Sequence, residues 1–272
     1  MKPVTYLEMG EGPLLHFAHA NAYPPGVYRQ FLTHLSAGYH VLAMDQRPLW
    51  PGEQPEDLHS WHPLADDLVD FLEARGAGEI IGVGHSLGAV ITMVAAIRRP
   101  GLFRRLVLVD PVFLAPQILA MAAAYPEQAF ETPLVQIARK RRYQWPSGEA
   151  AFAHLRKKEV FRRFSDAALR DYVEHGLVEN EHGVHLRFSR EWEARFYGMP
   201  PLDVWDLVPQ IRHPTLAVRA EDSNTLSREA WRLWQELQPE AQFVEIADTG
   251  HLVPMERPAE LATIVARFLD NG

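Results

Sequence analysis

Hydrophobic positions along the chain fall into short solid runs separated by amphipathic stretches. Leu14-Leu15-His16-Phe17-Ala18, His40-Val41-Leu42-Ala43-Met44-Asp45, Glu79-Ile80-Ile81-Gly82-Val83 and Leu106-Val107-Leu108-Val109 are each too short and too continuous for an amphipathic helix, and read as strands buried on both faces. Between them Val27 to Leu35 and Pro63 to Arg75 carry helical spacing; in the second, Leu64, Leu68, Val69, Phe71 and Leu72 share a face. Ala89 to Ile97 is apolar all round and predicts a buried helix, stopped by Arg98-Arg99-Pro100. Strands alternating with helices predict a mostly parallel sheet with helices on both faces.

The alternation lapses from Phe113 to about Trp205. That stretch reads as helical and rich in aromatics and arginines, with strand-like alternation only around Val184 to Phe188. It resumes with strands at Thr215–Arg219 and Phe243–Ile246 and helices at Arg228–Leu237 and Pro258–Leu269. The expected organisation is a core of residues 1–112 and 206–272 with an inserted cap of 113–205.

Composition narrows the function classes. The chain has 272 residues, 47% of them hydrophobic, which allows one sizeable core. A net charge of −8 disfavours nucleic-acid and anionic-membrane partners. There is no cysteine, so no disulfide, thiolate metal site or thiol nucleophile. No run approaches the length of a membrane span, and Met1 to Tyr6 lacks a signal-like apolar run, so a cytoplasmic location is expected.

Candidate chemistry centres on Gly84-His85-Ser86-Leu87-Gly88, between the strand ending at Val83 and the helix from Ala89. Strand, G-x-S-x-G and helix form a nucleophile elbow, whose glycines permit close packing and whose strained serine stands at a helix N-terminus. A serine hydroxyl needs a base to take its proton and a third group to orient that base. His251, in Asp248-Thr249-Gly250-His251 after the last strand, is the candidate base.

With these residues in place the sequence resembles the α/β-hydrolases over essentially its whole length. The matching pieces are His19-Ala20-Asn21 after the first core strand, Asp45-Gln46-Arg47 after the next, the elbow, and Gly250-His251 with its Val-Pro-x-Glu-x-Pro tail. The resemblance implies the order Ser, acid, His, a helical cap over the site, and no cofactor or metal. It offers two places for the acid. Asp110, after the strand that follows the elbow helix, comes first; Asp222, in Ala220-Glu221-Asp222-Ser223-Asn224-Thr225, is the alternative, since Asn224 occupies the position where a carboxylate would align. For the oxyanion hole it implies the Leu87 N–H and a second donor from Ala20 or Asn21, the latter with a contribution from its side chain.

Other signals are discounted. His59/His62 and His182/His185 have one-turn metal spacing without a third ligand; Asp66, Asp67 and Asp70 mark a solvated helix face; Asp45 and Arg47 are expected to hold loops together. Arg139-Lys140-Arg141-Arg142 could attract an anionic substrate, but in an acidic chain it reads as a solvated cap helix. The expectation is a serine hydrolase, monomer or homodimer, acting on small carboxylic esters of short to medium acyl chains. Lactone opening, perhydrolysis, carbon–carbon cleavage and acyl transfer are the same-fold alternatives, and a non-catalytic ligand receptor is the alternative of another class.

Overall fold

A computed structural model describes residues 4–270. The first part of the chain runs β1 (Tyr6–Met9), β2 (Leu14–Ala18), α1 (Arg29–Leu35), β3 (His40–Met44), α2 (His62–Glu73), β4 (Ile80–His85), α3 (Leu87–Arg98) and β5 (Phe103–Val109). After the insertion come β9 (Thr215–Asp222), α11 (Arg228–Leu237), β10 (Gln242–Gly250), α12 (Val253–Glu256) and α13 (Pro258–Asp270). Seven of these strands form one sheet in the order β1-β3-β2-β4-β5-β9-β10, parallel throughout except for β1 against β3.

The solid apolar runs are the central strands. Every residue of β4 is buried, because helices cover both faces. Leu15, Phe17, Val41 and Val83 pack with Phe31, Leu32, Val265 and Phe268 of α1 and α13. On the other face Leu42, Leu106 and Leu108 meet Leu68, Phe71, Val90 and Met93 of α2 and α3. Each large side chain so removed from water contributes about 1.5–3 kcal/mol.

The insertion holds α4 (Pro116–Ala124), α5 (Pro126–Ala129), α6 (Pro133–Lys140), β6 (Gln144–Trp145), α7 (Gly148–Leu155), α8 (Asp166–Gly176), β7 (Leu177–Asn180), β8 (Gly183–Leu186), α9 (Arg190–Gly198) and α10 (Val204–Leu207). It is not purely helical: β6, β8 and β7 form a three-stranded antiparallel sheet. Only β8 carried a readable alternation; β6 is two residues long, and β7 has one buried position. Ser147, Ser165 and Ser189 cap α7, α8 and α9 by accepting from the N–H three residues on. Asp45 and Arg47 do tie loops together: Asp45 pairs with Arg187 of the insertion and Arg47 forks onto Asp67 of α2.

Three buried histidines carry a cost that depends on pH. His16 is lowered to about 3 and His19 to about 4, in both cases first by loss of hydration, and His85 falls well below its ordinary value for the same reason. Between those values and 6.5 the unfolded chain binds protons that the fold does not, so stability is full above 6.5 and is lost as pH falls. The urea midpoint should therefore drop steadily from pH 7 to pH 5, above the range in which most carboxylates protonate (about 4). A midpoint that is flat or rises on acidification over that interval would contradict the neutral assignment.

Candidate functional site

Four strand ends deliver the candidate residues to one edge of the sheet, where ligands of open parallel sheets gather. Asn21 follows β2, Ser86 follows β4, Asp110 follows β5, and His251 follows β10. At the elbow β4 and α3 approach so closely that a Cβ on Gly84 would run into the Gly88 carbonyl and Ala89, and one on Gly88 into Ala18 and His19. Ser86 is consequently held at φ 56°, ψ −118°, a conformation that costs a non-glycine residue about 1–3 kcal/mol. It is 5% exposed and lines a cavity.

His251 spans the gap between serine and acid. Its Nε2 stands 2.9 Å from Ser86 Oγ and its Nδ1 2.7 Å from Asp110 Oδ2. A carboxylate at Nδ1 assigns the proton there, which leaves Nε2 free to accept from the serine. Asp110 has no exposed surface and sits at φ 41°. Its Oδ1 accepts from the Ala220 N–H at 2.9 Å, and its Oδ2 from the Ser223 hydroxyl at 2.7 Å and the Thr225 hydroxyl at 3.4 Å. These donors satisfy the oxygens of a carboxylate removed from water.

The alternative acid lies elsewhere. Asp222 is exposed and paired at 2.5 Å with Arg163, while Asn224 lines the cavity. The loop after β9 supplies hydroxyls to Asp110, in place of a carboxylate to His251. No local pattern in the sequence marks Ser223 and Thr225, because their partner Asp110 lies more than a hundred residues away. Glu256, within the quoted Pro-rich tail, accepts from the Gly250 N–H at 2.7 Å and steadies the histidine loop.

The oxyanion-hole expectation needs one correction. Ala20 cannot supply the second donor, because its N–H is already bonded to the Tyr28 hydroxyl at 3.0 Å. His85 Nε2 meets the His251 carbonyl at 2.8 Å and must donate there, so Nδ1 accepts from Tyr28 at 2.9 Å and the Tyr28 oxygen is left to accept from Ala20. This relay ties the turn after β2 to the His251 loop; neither Tyr28 nor His85 stood out in the sequence. The candidate donors are the backbone N–H of Asn21 and that of Leu87, which opens α3 and has no carbonyl partner within the helix. The Asn21 side chain does not join them through its amide nitrogen, which donates to the Glu193 carbonyl of the insertion at 3.2 Å.

The cavity over Ser86 is about 290 Å³ and mostly apolar, walled by Trp61, Leu114, Leu134, Phe196 and Leu252, with Tyr23 and Tyr197 among its polar edges. Among the described residues only Asp171, Glu174 and His175 have donor atoms close enough together for an ion, and Asp171 is already engaged by Arg29 and Gln30. No helix among them is long and apolar enough to cross a membrane.

Comparison with known proteins places the chain in a family. The chain is 27% identical to 2-(acetamidomethylene)succinate hydrolase of Mesorhizobium japonicum, over 97% of this chain and 90% of that protein. It is 29% identical to the sn-1-specific diacylglycerol lipase ABHD11 of Mus musculus, over 85% and 72%. A crystal structure of E-2-(acetamidomethylene)succinate hydrolase superposes with a TM-score of 0.82 at 24% identity, covering 98% of this chain and 95% of that one. The profile of the alpha/beta hydrolase family matches residues 17–264, and the chain belongs to that family.

Proposed function

We propose that the chain is a serine hydrolase that cleaves a carboxylic ester through an acyl-enzyme on Ser86. The observation that carries this reading is the line Asp110 Oδ2, His251 Nδ1, His251 Nε2, Ser86 Oγ, with both gaps under 3 Å. As Ser86 Oγ attacks the ester carbonyl carbon, its proton passes to His251 Nε2. The imidazolium so formed is stabilised by Asp110. Charge on the carbonyl oxygen is met by the Leu87 and Asn21 N–H groups, each worth about 3–4 kcal/mol in systems of this type. His251 returns the proton to the departing alkoxide, and the acyl group stays on Ser86. Water then repeats the sequence with His251 as base, releasing the acid and the free serine.

The cavity supports a compact substrate. Its 290 Å³ stands at the small end of ligand sites, about 300–1,000 Å³, and its apolar walls suit a short to medium acyl group. A second reading, hydrolysis of an acyl C–N bond, is favoured by one observation: a relative matched over 97% of this chain and 90% of its own length is named for an acetamido-bearing substrate. The same triad attacks either carbonyl, so parallel assays on matched esters and amides separate the two.

Turnover of p-nitrophenyl esters from acetate to decanoate should peak among the shorter chains and fall by about 10⁴-fold or more in Ser86→Ala. Turnover that survives this substitution would remove Ser86 from the reaction. Asp110→Asn should cost kcat about 10⁴-fold, since it loses the charge and the tautomer control. Asp222→Asn, which breaks only an exposed ion pair worth at most about 1 kcal/mol, should leave kcat within about twofold. The opposite ranking of the two asparagine variants would assign the acid to Asp222.

A further inference from the structure

A second and larger cavity, about 770 Å³, abuts the one over Ser86. Tyr23, Leu134, Val160 and Tyr197 line both, so the two spaces meet at these side chains. Its floor is apolar, formed by Trp145, Leu155 and Phe161, and the remaining charged lining is strongly one-sided: Lys140, Arg141, Arg142 and Lys158 against the single acid Glu193.

Glu193 does not neutralise the groove. It is buried and bonded at 2.7 Å to Arg141, whose other nitrogen donates to the Tyr172 hydroxyl at 2.9 Å. That pair cancels internally and corrects the expectation of a wholly solvated basic run, since Arg141 is largely buried. Its neighbours Lys140 and Arg142, together with Lys158, are exposed, and none of the three is ion-paired among the described residues. Arg142 is held in place by donating to the Gln144 carbonyl and standing 5.7 Å over the Trp145 ring. His154, also in the lining, is lowered by partial burial and by the charges of Lys158, Arg142 and Lys157, which reports a positive local field. The segregation extends to the whole insertion: residues 113–205 carry 13 Lys and Arg against 12 Asp and Glu, the rest of the chain 14 against 23. A positive groove on an otherwise anionic protein focuses anions to one place.

We propose that this groove is an anion subsite, seating a carboxylate or phosphate carried at the far end of the substrate beyond an apolar segment lying along Leu134 and Val160. The proposal rests on the hydrolase reading of Ser86 and narrows its substrate class to anionic esters. Lys140, Arg142 and Lys158 bind the charge; none of them touches the reacting atoms.

Matched probes test it. One pair is the mono-p-nitrophenyl ester of suberic acid and its neutral methyl ester, with the anion on the acyl side. The other set is 4-acyloxybenzoate and 4-acyloxyphenyl phosphate against neutral methyl 4-acyloxybenzoate, with the anion on the alcohol side and the two anion types separated. In at least one comparison the anionic member should have a KM about three- to tenfold lower at low salt, as expected of two or three partly exposed ion pairs. Added salt should shrink the preference by screening, and Lys140→Glu with Lys158→Glu should abolish or invert it. Preference for the neutral member throughout, or an anionic preference that survives the charge reversal, would overturn the subsite while ester hydrolysis stands. If no ester is turned over, the hydrolase reading fails separately, and calorimetric titration of suberate into Ser86→Ala decides the subsite. Salt-sensitive binding lost on charge reversal supports it, and absence of binding overturns it.

Discussion

The close approach of β4 to α3 at Gly84 and Gly88 is the constraint on which the rest of the site depends. It forces Ser86 to a positive φ and aims its hydroxyl away from the sheet, and it sets the Leu87 N–H beside it at a helix end. The strain is tolerable because both elements are buried along nearly their whole length, so relaxing the turn would mean unpacking the middle of the domain. A strained residue persists only where its surroundings over-determine it.

Around that fixed point several buried polar groups are held by specific partners. Asp110 is buried with three donors besides His251, so a charge that would be expensive alone is held where an imidazolium can use it. Tyr28 and His85 take up the Ala20 N–H and the His251 carbonyl, which ties the turn after β2 to the loop after β10. Asn21, Asp45 and the Arg141–Glu193 pair extend the same logic to the insertion, which is bound to the core and within itself by directed polar contacts as well as by apolar packing.

Much of this was legible in the chain because strand and helix periods are local properties. The buried strands, the helix at Arg228–Leu237 and the elbow all follow from runs of a few residues. What escaped reading depends on distant partners. The choice between Asp110 and Asp222 turns on Ser223 and Thr225 folding back onto Asp110, for which no local pattern exists. The small sheet of the insertion is made of strands too short to show a period. Arg141 looks like its neighbours in sequence, and only the packing of α6 against α9 turns it inward onto Glu193 while Lys140 and Arg142 stay in solvent.

Activation of Ser86 by His251 is tested most directly by labelling with a fluorophosphonate followed by peptide mass spectrometry. One adduct per chain is expected, located on Ser86, absent in Ser86→Ala and formed orders of magnitude more slowly in His251→Ala. No adduct on the wild-type chain, or an adduct that persists on another residue in Ser86→Ala, would contradict it.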